Sequence, residues 1–186
     1  MDRPSWDTYF LNIAKLVSTR SNDAQTKHGC VIINKDRQII GTGYNSFPRG
    51  MNDSSLPNIR PDKYDYIVHS EINALLNCVI KPKDCTAFVT GQCCNHCIFC
   101  MWNAGITEVV MANQHGSYLI DDKQKKIFEL FINQTGLRIR YVDCKFDLIK
   151  INPEQCEKLT THNIDIISRK CNYCGRSLKK IQNDNQ

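Results

Sequence analysis

The chain lacks any uninterrupted apolar stretch of the ~20 residues that a membrane-crossing helix needs, so a span is excluded. Its start, Met1-Asp2-Arg3-Pro4-Ser5-Trp6, lacks the charged-then-apolar layout of a secretory signal, and the expected location is intracellular, in the cytoplasm. Dense basic runs are missing as well. The 24 Lys and Arg against 19 Asp and Glu leave a net charge of +5, short of the balance of a nucleic-acid-binding domain. There is no internal repeat at solenoid periods. What the chain has in abundance is cysteine, 11 in 186 residues. The count is odd, so complete disulfide pairing within one chain is impossible, and in a reducing compartment it points to metal or redox chemistry or to buried thiols.

The length suits one domain over 1–148 with a small extension over 149–186. Tyr9, Phe10, Ile13, Leu16 and Val17 recur at three- and four-residue spacings behind Ser5, predicting an amphipathic helix over 5–20. Gly29–Ile33 and Gln38–Gly43 are β-branched runs around Asn-Lys-Asp, a hairpin pattern. The polar stretch 44–66 is a loop longer than most connections, the kind that carries binding residues. Ile72, Leu75, Leu76, Val79 and Ile80 then predict a helix that runs on to Lys81-Pro82. Strands over 86–90, 108–112 and 137–142 alternate with helices over 98–104 and 124–133, and FDLIKI at 146–151 is strand-like. The expected fold is a three-layer α/β/α sandwich around a mixed sheet.

Within this frame, His69-Ser70-Glu71 opens one helix and Cys94-Asn95-His96-Cys97 opens another. An H-x-E followed by C-x-x-C is the arrangement of zinc-dependent nucleobase deaminases. One imidazole and two thiolates make three ligands, leave the fourth tetrahedral position open, and balance the two charges of the metal. Glu71, two residues from His69, is placed to carry protons. Two rival cysteine patterns fail. Cys94, Cys97 and Cys100 begin an iron–sulfur run, but Ala104 stands where its fourth ligand would be. Cys93, Cys97 and Cys100 match the spacing of radical enzymes that cleave S-adenosylmethionine, which leaves His69 and Glu71 without a role.

Together with those motifs, RPSWDTYF, GYNSFPRG, KYDYIVHSEINALLN and NAGITEVV resemble, in the same order across residues 3–145, segments of the deoxycytidylate (dCMP) deaminases of the cytidine deaminase superfamily. That resemblance implies zinc held by His69, Cys94 and Cys97, Glu71 as proton shuttle, and Asn45 of the GYN segment touching the nucleotide sugar. It implies conversion of dCMP to dUMP and ammonia, supplying thymidylate synthesis. It further implies a homo-oligomer, often a hexamer, and control near the GYN loop by dCTP and dTTP, with Mg²⁺ accompanying a regulatory triphosphate. The chain departs from the family pattern at Ser70, where Ala is usual, and at Cys93, where Pro is usual. Loss of that proline frees a backbone angle and puts a further thiol near the metal, either as a buried bystander or as a fourth ligand that would close the site.

Several positions stay open on sequence alone. Arg20, Lys27, Arg49, Arg60 and Lys63 are available for a phosphate, and spacing singles out none of them. His28 and His115 are unassigned, Cys100 has no role, and Tyr118 is the candidate for stacking on the pyrimidine. Cys171-x-x-Cys174 with Cys156 and His162 can form a second, closed zinc site. Competing readings of function are a bifunctional dCMP/dCTP deaminase, a deaminase of bases in nucleic acid, and a catalytically silent zinc-stabilised nucleotide sensor.

Overall fold

Ser5 starts the first helix as the sequence predicts: its Oγ accepts from the Thr8 N–H at 3.1 Å, ahead of α1 (Trp6–Ser18). The computed structural model describes residues 3–113 and 122–146, together with the backbone of 164–165 and 170–171. Strands β1 (Gly29–Ile33) and β2 (Ile39–Tyr44) form the hairpin, with Asn34 Oδ1 accepting from the N–H groups of Asp36 and Gln38 in its turn. Next come α2 (Ser70–Leu76), β3 (Cys85–Val89), α3 (Asn95–Ala104), β4 (Ile106–Ala112), α4 (Asp122–Thr135) and β5 (Arg138–Val142). Gly105, at φ 114°, ends α3 in a left-handed conformation that a side chain would strain.

The five strands lie in the order β2-β1-β3-β4-β5. Strand β1 runs antiparallel to both neighbours, whereas β3, β4 and β5 are parallel, their crossovers supplied by α3 and α4. Alternation along β1 divides the core between two faces. Val31 and Ile33 meet Phe10, Leu11 and Ala14 of α1 on one side. Cys30 and Ile32 share the other with Ala74 of α2, Ile98 and Met101 of α3, and Phe128 of α4. This is the expected three-layer α/β/α arrangement around a mixed sheet.

One helix is shorter than its pattern predicts. Helix α2 stops at Leu76, not at Lys81-Pro82, and Leu76 and Val79 are 76% and 81% exposed. The cause is in β2. Gly41 and Gly43 let α2 lie so close that a Cβ on Gly43 would fall 2.2 Å from Ala74 N, and the Val79 N–H bonds to Ile40 O at 3.0 Å. Pairing with the strand takes the chain off its helical path before the apolar periodicity ends.

The chain divides into two compact units, Met1–Leu148 and Ile149–Gln186. In the second, Ile164–Asp165 and Lys170–Cys171 pair antiparallel as β6 and β7. Residues 147–151 of the strand-like segment lie outside the described residues. Among the described residues no helix is long and apolar enough to cross a membrane.

Candidate active site

The two motifs meet because each is placed at a helix start. His69 is the N-cap of α2, and Cys94 is the N-cap of α3, where its Sγ accepts from the Cys97 N–H at 3.5 Å. Both helices pack on the same face of the sheet, and there His69 Nδ1 lies 3.5 Å from Cys94 Sγ and 3.3 Å from Cys97 Sγ. The three ligand atoms fall within 4.8 Å of one another, which fits a tetrahedral ion whose N···S edges are about 3.5 Å.

The protonation pattern suits a cation. A hydrogen bond from the Cys97 thiol above all, joined by His69 and opposed by burial, brings the Cys94 thiol down to about 4. Cys97 goes up, because Cys94 holds its proton and burial disfavours a second thiolate. The hydrogen bond to Cys94 also raises His69. The group therefore carries protons that a divalent metal displaces.

Glu71 sits in the first turn of α2, 4% exposed, with Oε2 accepting from Ser70 Oγ at 2.7 Å. It faces a cavity of about 320 Å³ that it shares with His69, Cys94, Asn45, Arg60 and Tyr64. Asn45 is fixed by its neighbours. Its Oδ1 accepts from the His28 N–H at 2.7 Å, and its Nδ2 donates to Asp23 Oδ2 at 3.0 Å and to Thr26 O at 2.9 Å. Both amide hydrogens are committed, so a ligand hydroxyl reaching this side chain must donate to Oδ1. The long 44–66 loop is tied at its base by the bridge between Ser46 and Val68.

Sequence reasoning missed Asp23, His28 and Gln92, all of which line the cavity. Asp23 accepts from the N–H groups of Gln25 and Thr26, an Asx-type turn that Ser21-Asn22-Asp23 could have signalled. Lys63 Nζ bonds both carboxylate oxygens of Asp23, at 2.6 and 2.7 Å, with both side chains buried. His28 packs over Gly91, where a Cβ would come 2.5 Å from its ring, and burial holds it below the ordinary histidine value.

The five basic candidates separate in space. Arg60 and Lys63 reach this cavity, but the Lys63 ammonium is committed to Asp23. Arg20 and Arg49 line a second cavity of about 270 Å³, and Lys27 is exposed and lines neither. Cys93 is fully buried, lines the cavity, and stands outside the His69-Cys94-Cys97 group. Burial above all, with the adjacent Glu71 charge, pushes its thiol up. Cys100 lies 3.8 Å from His96 Nε2, away from that group. All eight described cysteines are free thiols. Tyr118, His115, Cys156, His162, Cys174 and the side chain of Cys171 lie outside the described residues.

A sandwich with a His-Cys-Cys group and a buried carboxylate at two helix starts defines the zinc deaminase class of site. Residues 4–113 match the family described as the cytidine and deoxycytidylate deaminase zinc-binding region. The chain is 32% identical to human deoxycytidylate deaminase over 168 residues, covering 83% of this chain and 93% of that one. It is 38% identical to the deoxycytidylate deaminase of Mycobacterium phage D29 over 124 residues, 59% of this chain and 96% of the phage protein. The crystal structure of dCMP deaminase from cyanophage S-TIM5 in complex with dCMP and dUMP shares the fold, with a TM-score of 0.58 at 21% identity, covering 76% of this chain and all of that one. The protein belongs to the cytidine and deoxycytidylate deaminase family.

Proposed function

We propose that the protein is a zinc-dependent hydrolase that converts dCMP and water to dUMP and ammonia, with zinc held by His69, Cys94 and Cys97 and protons carried by Glu71. The observation that carries this reading is the convergence of one imidazole and two sulfurs beside a buried carboxylate at the wall of a cavity. Human and phage relatives named deoxycytidylate deaminase support the choice of dCMP.

Zinc, when bound, supplies Lewis-acid activation of water. The protein's part is positional. Glu71 takes a proton from the water and delivers it to pyrimidine N3 as the oxygen bonds to C4; the proton left on that oxygen then passes through Glu71 to the amino group, so that the C4–N bond breaks, the C4 carbonyl forms and ammonia leaves. Asn45 Oδ1 accepts from a sugar hydroxyl, and Arg60 at the cavity wall provides charge for the phosphate. Tyr118 remains the candidate for stacking on the base.

The second cavity, with Arg20, Arg49, Tyr44 and Asp53 beside the GYN segment, supports control by dCTP and dTTP, Asp53 offering a carboxylate to an accompanying Mg²⁺. Exposed Leu76, Val79 and Ile80 support assembly into a homo-oligomer. Thiol ligands that must stay reduced support a cytoplasmic location. Residues 149–186 form an extension in which Cys156, His162, Cys171 and Cys174 are the candidate second zinc set.

The test is ammonia release from purified protein offered dCMP, dCTP, cytidine and single-stranded DNA in parallel. The proposal predicts preference for dCMP. Equal use of dCTP would instead assign the bifunctional reaction, turnover of DNA a base-editing one, and no turnover of any substrate a sensor.

A further inference from the structure

We propose that Ser70 is a positioning residue for the proton-carrying carboxylate, its hydroxyl pinning Oε2 of Glu71 so that Oε1 is the oxygen presented to substrate. Ser70 is fully buried, and its Oγ lies 2.7 Å from Oε2, a short hydrogen bond between adjacent residues of one helix turn. A serine hydroxyl has one proton to donate, and here that proton is spent on a carboxylate, which makes the bond charge-assisted.

The arrangement bears on how Glu71 works. The terminal torsion of a glutamate is broad and close to two-fold, so an unanchored carboxylate presents either oxygen and samples intermediate angles. A shuttle that collects a proton at one point and releases it at another gains when one oxygen is held and the other aimed. The 4% exposure of Glu71 removes water as an alternative partner for most of the group, so the Ser70 donor is not interchangeable with solvent.

This inference rests on the deaminase reading, and its test keeps the two separable. Ser70→Ala and Ser70→Gly are prepared in the full zinc-loaded chain beside wild type. Zinc content, melting temperature, kcat and KM for dCMP are measured, with equilibrium binding of dUMP and of a pyrimidin-2-one deoxynucleotide, which adds water at C4 and imitates the tetrahedral adduct. Both variants are expected to keep zinc, to lose about tenfold in kcat with KM and dUMP affinity within about twofold, and to bind the adduct mimic about tenfold more weakly. The glycine variant will melt lower than the alanine variant while losing the same activity, because both lack the hydroxyl but only one loosens the helix. Wild-type kcat in Ser70→Ala, or losses that follow melting temperature instead of the hydroxyl, would overturn the inference alone. Absence of wild-type turnover on dCMP would overturn the deaminase reading and this with it.

Discussion

The buried ion pair of Asp23 and Lys63 is the residue-scale feature with the clearest energetic consequence. Desolvation works to raise the Asp23 pKa, but the Lys63 hydrogen bonds and the N–H donors of Thr26 and Gln25 prevail and hold it below its ordinary value of 3.8. A carboxyl with a depressed pKa contributes stability that is fully present above 3.8 and is lost as pH falls through the lower folded value. Lys63→Met removes the cation, leaves Asp23 in a dry wall, and turns the sign: burial then raises the pKa, and acidification relieves the strain. Urea denaturation should show the variant about 3 kcal/mol less stable at pH 7, with the gap narrowing toward pH 4. A gap that is constant across that range would contradict the ion pair as its source. None of this was legible in the sequence, because Asp23 and Lys63 are 40 residues apart and meet only when the 44–66 loop folds back. His69, Glu71, Cys94 and Cys97 were legible for the opposite reason: each motif is local and sits at a helix start, and in the second the Cys94 cap bond from the Cys97 N–H fixes where that sulfur points. His28 lay between these cases, a lone histidine whose place on the cavity wall depends on Gly91.

At the scale of elements, the site depends on how closely α2 lies on β2. The strands and helices themselves were largely readable, because β-branched runs mark strands wherever they stand and Gly105 and Gly136 punctuate the helices. The end of α2 was not, since its periodicity continues through Val79 and Ile80 while tertiary pairing with Ile40 stops it. The glycines of β2 are the other side of that contact. A Cβ on Gly43 would sit 2.2 Å from Ala74 N and 2.4 Å from Ser70 O, both backbone atoms that have no rotamer to change. Gly43→Ala must therefore push the start of α2 outward, carrying His69 and Glu71 with it. The expected result is a loss of about 3 kcal/mol in chemical denaturation together with reduced zinc occupancy by metal analysis. Unchanged zinc binding in a destabilised variant would show that α2 can be displaced without disturbing the ligand group.

For the whole molecule, every described residue that lines the first cavity precedes Leu148, the end of the larger unit. A chain ending at residue 148 is expected to keep one zinc and its turnover, and a higher metal ratio in the full chain would assign the additional ion to the tail cysteines. Loss of metal from the shortened chain would mean that the site needs the extension. The eleven cysteines no longer form one category: two converge on His69, six more are free thiols in or around the core, and three lie in the extension beyond residue 148. The claim that joins all scales is hydrolytic deamination with Glu71 as the proton carrier beside a His-Cys-Cys metal group. Glu71→Gln keeps the size of the side chain and removes its capacity to cycle a proton, so ammonia release from dCMP, measured with zinc content on the same samples, tests it most directly. The account predicts retained zinc with turnover reduced by about three orders of magnitude or more; wild-type turnover by a zinc-loaded Glu71→Gln protein would contradict it.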